Sequence, residues 1–409
     1  MEEPALPWRG VRVLEPAVLL AAPFASTLMA DFGAEVIKLE LPGSGDPMRQ
    51  LAPIHKGQSL WWKATARNKK SATLDLRTPR GQELFRRLAA ESDVVIENFR
   101  PGVMEHWGLG WETLHECNPK LIMVRQTGFG QFGPYAQHPA YGMIVECYAG
   151  LPDALGFSDT PPVGSSLGDY LAGLVIVYAI MFALYHRDVH GGPGQLIDNA
   201  ASEAILRITA ESRVPALHLG LPAPPKRSAD RPYQSMGADD LRVAGFFQTA
   251  DDRWCALHPG TAGTAIWANL VQVMGREDFL DEAAYPLGSP ARQQRRQEIA
   301  EVVAQWFRAH TRDEVVSTAQ RCNITIAPVY SVQDAMADPH FAARQSFVDV
   351  DDEDFGVLRM VNVTPRLSAT PGAVLHPGPR VGEHNEEIYG DILKMTNAEL
   401  RVLRDDGVI

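Results

Sequence analysis

Three observations predict an α/β protein built around a largely parallel sheet. Short apolar strands alternate with helical segments throughout the first half of the chain. The length of 409 residues exceeds what one hydrophobic core supports, so two or three structural units are expected. A proline-rich polar stretch at 221–232 has the composition of a semi-rigid linker and separates the alternating part from a differently patterned middle. Alternating strands and helices favour a parallel sheet covered on both faces.

The elements follow in order. The first half contains strands at 11–15, 33–40, 71–76, 93–97 and 121–126, with helices at 23–32, 78–92 and 103–117 between them. A buried helix over 170–186 comes next, then one more strand and helix ending near Val214. Beyond the linker we predict a hairpin about Asp251 and Asp252, and helices at 262–274 and 292–310. Strands at 347–350 and 357–363 and a helix at 397–405 complete the chain.

Charge and cysteine usage exclude several classes of function. The formal net charge is -12, which disfavours nucleic acid or an anionic membrane as the main partner. The four cysteines lie far apart without metal-ligand spacing, and we expect no metal site. The most apolar stretch, 171–185, is shorter than the roughly 20 residues that cross a bilayer. With no signal peptide at the N-terminus, we expect a cytoplasmic protein that does not enter a membrane.

Asp169 is the most informative residue of the sequence. It follows Gly168 and directly precedes the long apolar run, so it falls at a predicted helix N-terminus. Unpaired N–H groups and the helix dipole favour an anion there, and we expect an ionised carboxylate at neutral pH. The alternative interpretation is a simple N-cap, for which Asp is a favoured residue.

Basic residues of the first half are grouped around strand ends, which suits the binding of phosphates by arginine. The group comprises Arg67, Lys69, Lys70, Arg77 and Arg100. The glycines of 128–133 match G-x-G-x-x-G, but Pro134 and Tyr135 follow them where a dinucleotide site would begin a helix. We therefore predict a ligand-facing loop here. A Cys/His pairing for nucleophilic hydrolysis is not apparent. His258, at the end of a hairpin strand, is a candidate lid residue.

Many short stretches form a recognisable series along the chain, at 22–25, 31–40, 68–71, 95–102, 127–134, 192–195, 327–330, 337–339 and 382–384, together with the Asp169 segment. In their order and spacing they resemble the class III CoA-transferases of the carnitine and formyl CoA-transferase type. The resemblance implies a Rossmann-like large domain formed by 1–220 and 331–409, with linker and a smaller α+β cap domain at 221–330. It also implies an interlocked homodimer.

The family resemblance also assigns roles to individual residues. Asp169 is then the acyl-accepting carboxylate, which forms an aspartyl anhydride and afterwards an aspartyl-CoA thioester. Coenzyme A is a substrate, and no separate cofactor is expected. The implied CoA contacts lie in the loops after the first strands, at Leu19, Leu20, Ala21, Leu74, Arg77, Asn98, Phe99, Arg100 and His106.

The implied substrates are an acyl-CoA and a carboxylic acid. We expect small dicarboxylic acids of the succinate, malate or mesaconate kind. An intramolecular transfer of CoA between the two carboxyl groups of one dicarboxylic acid is an alternative. Alternatives are a carnitine-type transferase, an α-methylacyl-CoA racemase and a non-catalytic CoA-binding protein. A racemase is disfavoured because Tyr141 stands where its family places a catalytic His. Leu41 replaces an arginine that stacks on adenine in formyl-type relatives, and the gating glycine loop of that subgroup is represented only by 258–263.

Overall fold

The computed structural model describes residues 6–155, 166–221, 233–235, 240–260 and 265–409. Its strands are β1 (Arg12–Glu15), β2 (Glu35–Glu40), β3 (Ile54–His55), β4 (Gln58–Ser59), β5 (Lys70–Thr73), β6 (Val94–Glu97), β7 (Ile122–Thr127), β8 (Leu196–Ala200), β9 (Tyr233–Ser235), β10 (Val243–Gln248), β11 (Trp254–Leu257), β12 (Ile326–Pro328), β13 (Phe347–Asp352) and β14 (Gly356–Val361).

The helices are α1 (Ala21–Asp31), α2 (Leu60–Thr65), α3 (Pro79–Ala90), α4 (Val103–His106), α5 (Trp111–Cys117), α6 (Gly142–Tyr148), α7 (Leu151–Ala154), α8 (Leu167–His190), α9 (Ala201–Thr209), α10 (Arg213–His218), α11 (Ile266–Val273), α12 (Pro290–Arg308), α13 (Arg312–Arg321), α14 (Val332–Ala337), α15 (Pro339–Ala343), α16 (Asn385–Glu387) and α17 (Asn397–Asp405). Short 3₁₀ turns lie at Pro47–Gln50 and Glu277–Leu280, and α16 continues into a π-helical turn at Ile388–Ile392.

The described residues form two compact units. The first contains 6–155, 166–221 and 340–409, and the second contains the described residues between 224 and 339. The division after the first part falls within the proline-rich stretch at 221–232. The return to the first unit comes at His340, nine residues later than the return at 331 that the resemblance implies.

The first unit is built on a parallel sheet of six strands in the order β5-β2-β1-β6-β7-β8. Val13 of β1 lies opposite Val36 of β2 on one side and Val94 of β6 on the other. The chain therefore builds outward from β1 in one direction, then returns to build outward from β6 in the other. This is the Rossmann-like order, and open α/β sheets bind ligands beyond the carboxyl ends of the strands at this reversal.

Both faces of this sheet are covered, as predicted. On one face, α3, α5, the π-helical turn and α17 bury an apolar core that includes Leu14, Ile37, Phe85, Val95 and Tyr389. On the other face, α1 and α8 pack against alternate residues of the same strands. The period-two alternation of each strand thus supplies both layers.

Two predicted helices differ in the structure. The helix predicted over 103–117 is divided into α4 and α5, because Gly108 adopts a left-handed conformation (φ 64°) between them. The helix predicted over 170–186 extends over Leu167–His190 and is buried on one face only. Leu174, Tyr178, Met181, Phe182, Tyr185 and Val189 form an exposed apolar stripe along its other face. By length and composition this helix is apolar enough to cross a membrane, although core helices of soluble proteins have the same properties.

The second unit contains a four-stranded sheet in the order β12-β11-β10-β9. Strands β10 and β11 form the predicted antiparallel hairpin, with Gln248 opposite Trp254 across the turn. Helices α11, α12 and α13 enclose a core with this sheet that contains Phe247, Trp267, Val303 and Phe307. This unit is therefore α+β, as the sequence predicts.

Candidate active site

A cavity of about 520 Å³ opens beyond the carboxyl ends of β1, β6 and β7, at the reversal of strand order. Its walls come from three segments at or after the ends of these strands, at 18–21, 98–101 and 126–128. A fourth wall is formed by 136–143, and Asp169 faces the cavity from the first turn of α8. This volume lies within the range of small-molecule sites, and its lining is largely apolar.

Asp169 is the third residue of α8 and is half-buried. The N-cap interpretation is wrong, because Ser166 occupies the N-cap position. Among the described residues none donates a hydrogen bond to the Asp169 carboxylate or forms an ion pair with it. Residues 161–165 of its sequence segment lie outside the described residues. A carboxylate that faces a cavity without a fixed partner is available to react with a bound ligand.

The pKa of Asp169 is raised to about 6, because burial penalises the charged form and the negative charge of Glu146 adds to this penalty. The sequence-based expectation emphasised the helix dipole, which acts in the opposite direction. Burial outweighs the dipole here, but the carboxylate is still largely ionised at pH 7 and above. It is also more basic than an ordinary aspartate, which favours nucleophilic attack.

Gly142, the first residue of α6, lies against the Asp169 carboxylate. A Cβ atom at position 142 would overlap Oδ2 of Asp169, so the absence of a side chain leaves room for the carboxylate. The neighbouring Tyr141 is exposed and lines the cavity. The main chain at the start of α6 therefore forms the part of the wall nearest to Asp169.

Two polar contacts shape the wall after β1. The Asn98 side chain accepts a hydrogen bond from the Val18 N–H (2.9 Å) and donates to the Val18 carbonyl (2.7 Å), which joins the β1 and β6 loops. Leu19 is left-handed (φ 67°), and its N–H donates to the buried carboxylate of Asp46 (3.1 Å). Lys38, which is also fully buried, forms an ion pair with the same carboxylate at 2.7 Å. Buried charge thus stabilises an unfavourable backbone conformation at the cavity.

The loop after β6 is anchored by a second buried ion pair. Arg125 of β7 donates to Glu97 at 2.8 Å and to Glu105 of α4 at 2.6 Å. The other oxygen of Glu97 accepts the Phe99 N–H at 2.6 Å. Burial nevertheless raises the pKa of Glu97 to about 7, in spite of the Arg125 charge. Asn98, Phe99 and Arg100 are therefore held in place from both ends of their loop.

The structure brings together most, but not all, of the residues that the sequence singles out. Leu19, Leu20, Ala21, Asn98, Phe99, Arg100 and Asp169 line one cavity. Arg100 is exposed at this cavity, and no described residue pairs with its guanidinium. Leu74, Arg77 and His106 do not line it. Leu74 is buried in the core beneath the sheet, Arg77 pairs with Asp75 at 2.7 Å, and His106 is exposed at the end of α4.

Other predicted positions lie at or away from the cavity. The glycine run at 128–133 forms a loop after β7, and Gly128 lines the cavity, in agreement with the sequence interpretation. Leu41 is exposed directly after β2. His258 follows β11 in the second unit, where its Nδ1 accepts the Gly260 N–H, and part of the 258–263 stretch lies outside the described residues.

Sequence reasoning missed Gly142, Glu146, Asp46 and Trp61. Gly142 and Glu146 lie on helix α6. This helix has only seven residues and no side-chain hydrogen bond at its N-cap, so neither periodicity nor a capping residue could reveal it. Asp46 could be recognised as an N-cap two residues before Met48, but its contact with Leu19 is long-range. No group of three or more metal-ligating side chains occurs within the part of the chain that the structure describes.

Comparison with known proteins identifies the family of this chain. Residues 8–385 match the model of CoA-transferase family III. The chain is 40% identical to succinyl-CoA--D-citramalate CoA-transferase of Chloroflexus aurantiacus, over 100% of this chain and 99% of that protein. It is 38% identical to the beta subunit of succinyl-CoA--L-malate CoA-transferase of the same organism, over 99% and 98% of the two chains.

A solved structure is also similar. The crystal structure of a CAIB/BAIF family protein from Brucella suis matches with a TM-score of 0.79 and 29% identity, over 95% of this chain and 100% of that one. The chain therefore belongs to CoA-transferase family III. The sequence-based family assignment is confirmed, and the protein is a CoA-transferase.

Proposed function

We propose that this enzyme moves CoA from a succinyl-CoA-type thioester to a four- or five-carbon dicarboxylic acid, with Asp169 as the covalent acyl carrier. The observation that carries the proposal is the half-buried Asp169 carboxylate, which faces a cavity at the sheet reversal without a described partner. The substrate class is supported by the relatives, whose names specify succinyl-CoA with citramalate or malate.

The proposed reaction has four exchanges. Asp169 attacks the thioester carbonyl, the C–S bond breaks, and CoA leaves as a thiolate from a mixed anhydride. The thiolate attacks the aspartyl carbonyl and releases the donor acid, which leaves an aspartyl-CoA thioester. The acceptor carboxylate then attacks this thioester and displaces CoA thiolate, and the thiolate attacks the acceptor carbonyl to release the new acyl-CoA and free Asp169. No proton is consumed, but water must be excluded from the anhydride.

The residues around the cavity supply orientation and charge stabilisation. The first N–H groups of α1 have no intrahelical acceptor, and Ala21, where this helix begins, lines the cavity. They are suited to stabilise the oxyanion that forms at each exchange. Arg100, whose guanidinium pairs with no described residue, offers a cationic group for an anionic part of the substrate. The apolar lining from Leu20, Met48 and Trp61 favours exclusion of water.

A panel of acceptor acids tests the substrate class. With succinyl-CoA as donor, we expect malate, citramalate and mesaconate to be converted with a kcat/KM roughly 10- to 100-fold above that of butyrate and 3-hydroxybutyrate. A site built to pair the second carboxylate is left with an unpaired group when a monocarboxylic acid binds. Mass spectrometry of the acyl-CoA products measures the transfer. A preference for monocarboxylic acids or for carnitine would refute the dicarboxylate assignment.

We also propose that the enzyme is a homodimer whose subunits interlock, with the smaller unit as a cap, and that it works in the cytoplasm. The exposed apolar stripe of α8 supports a protein partner for this helix. Its opposite face packs on α1 and the sheet through Ile176 and Ile180, and Arg187 pairs with Asp93 at 3.0 Å. The buried face of this helix thus belongs to the core of the first unit.

Sedimentation tests the dimer. We expect the mass of two chains at micromolar concentration without detergent. Replacing Phe182, which is 68% exposed, with Glu should shift the protein toward the monomer, because a charge would then be buried at the interface. The same change at Val332, exposed in the second unit, is the control. A wild-type protein that sediments as a monomer would contradict the proposal.

A further inference from the structure

We propose that Glu146 is a positioning residue of this active site, which holds the first turn of α8 and keeps the Asp169 carboxylate directed into the cavity. The inference rests on the proposed role of Asp169 and adds a second carboxylate to the site. Glu146 was not expected from the sequence, and its helix α6 contributes no predicted site residue.

The first argument is the contact between Glu146 and α8. Glu146 is only 6% exposed, and its Oε1 accepts the Gly168 N–H at 2.8 Å. Gly168 lies in the first turn of α8, where the N–H groups lack intrahelical acceptors. The N-cap residue, Ser166, does not supply this bond, because its side chain forms no capping hydrogen bond. Glu146 thus performs the N-capping function from a different helix.

The second argument is the fit between the two helices. A Cβ atom at position 168 would lie 2.9 Å from Cγ of Glu146 and 3.0 Å from Cδ1 of Ile205, so only glycine allows this approach. On the same helix α6, Gly142 lies against the Asp169 carboxylate itself. Helix α6 therefore touches both Gly168 and Asp169, and the Glu146 bond fixes the distance between the two helices.

The third argument is electrostatic. Glu146 places a negative charge near Asp169, and this charge contributes to the raised pKa of Asp169 after burial. A positive partner would have the opposite effect and would weaken the nucleophile. The side chain of Glu146 therefore orients the first turn of α8 without forming an ion pair with Asp169.

The elements packed against α8 carry few charged and titratable groups. They are Asp31 on α1, Arg125 on β7, Asp198 on β8, Glu203 and Arg207 on α9, and Glu146, Cys147 and Tyr148 on α6. Asp31 forms an ion pair with Arg67. Arg125 forms ion pairs with Glu97 and Glu105. Among the described groups, Glu146 is the charge that acts on Asp169.

Two substitutions separate the hydrogen bond from the charge. Glu146→Gln keeps an oxygen that accepts the Gly168 N–H but removes the charge. We expect a lower pKa for Asp169, so the acid limb of the kcat/KM profile should move below its wild-type position near pH 6. Glu146→Ala loses both functions, and we expect kcat to fall roughly 10- to 100-fold through misplacement of the nucleophile, while CoA binding is retained.

The control is Glu203→Gln, an exposed glutamate in the first turn of α9, which should move neither kcat nor the acid limb. CoA affinity is measured by calorimetry and folding by thermal unfolding of each variant. An unmoved acid limb in Glu146→Gln together with wild-type kcat in Glu146→Ala would overturn the inference; if the Ala variant does not fold, the unmoved limb alone overturns it. Failure of the proposed function has a different signature, namely full activity of an Asp169→Asn enzyme.

Discussion

Replacing Asp169 with Asn or Ala is expected to lower the rate of CoA transfer by at least about 10⁴-fold, because loss of a covalent nucleophile leaves only substrate binding and orientation. CoA should still bind, since the loops that follow β1 and β6 are built without Asp169. Product formation from succinyl-CoA and malate, with calorimetric titration of CoA, measures both quantities. A non-catalytic CoA-binding protein would show no transfer before or after the substitution.

The same substitution is expected to leave the fold at least as stable at pH 8. The pKa of Asp169 is raised in the folded state, so its ionised form opposes folding above pH 6, and this effect disappears as the pH falls toward the unfolded value of 3.8. Asp169→Asn should therefore unfold no earlier than wild type at pH 8. Asp351→Asn, an exposed change in the same unit, is the matched control for activity. A large loss of stability in the Asp169 variant would indicate a structural role instead.

Replacing Arg125 with Met is expected to destabilise the protein by about 3 to 5 kcal/mol at pH 8, because it leaves the fully buried Glu97 without a counter-charge. The loss should be smaller at pH 6, where Glu97, whose pKa is already about 7, takes up a proton in the folded state. Loosening of the Asn98–Arg100 loop should also raise KM for the CoA substrates more than it lowers kcat. Urea unfolding at both pH values and steady-state kinetics measure these effects.

A second substitution in the same background tests the cause. Adding Glu97→Gln to Arg125→Met removes the buried charge and should restore much of the lost stability at pH 8. Arg359→Met breaks an exposed pair with Asp349 and should leave the unfolding midpoint unchanged. Equal destabilisation by Arg125→Met at pH 6 and pH 8 would show that packing, rather than the buried charge, is responsible.

The sheet and its covering helices were predictable because each element has a local pattern. The apolar strand at 94–97 and the amphipathic helix α3 with its Thr78 cap are examples. Asp169 could be singled out because it lies at the start of a long apolar helix. In contrast, the contact of Glu146 with Gly168 joins residues 22 positions apart, and Gly142 has no side chain to mark it. Close approaches of this kind depend on tertiary packing, which no local pattern records.

The predicted CoA contacts show the same limit. Leu74 and Arg77 follow a strand, as Asn98 and Arg100 do, but β5 lies at the edge of the sheet and β6 lies at the reversal beside β1. Only the strand order shows which of the two loops lies at the cavity. The free face of α8 is a further example, because burial of one face and exposure of the other cannot be read from a helix that is apolar all round.

The most direct test of the mechanism is covalent trapping of the intermediate. The enzyme is incubated with succinyl-CoA and treated with borohydride, which reduces an aspartyl-CoA thioester to an alcohol, or with hydroxylamine, which captures it as a hydroxamate. Peptide mass analysis should then find one modified peptide with the change at Asp169, and none in the Asp169→Asn variant. An unmodified Asp169 in enzyme that is turning over, or a modification at another residue, would contradict the mechanism.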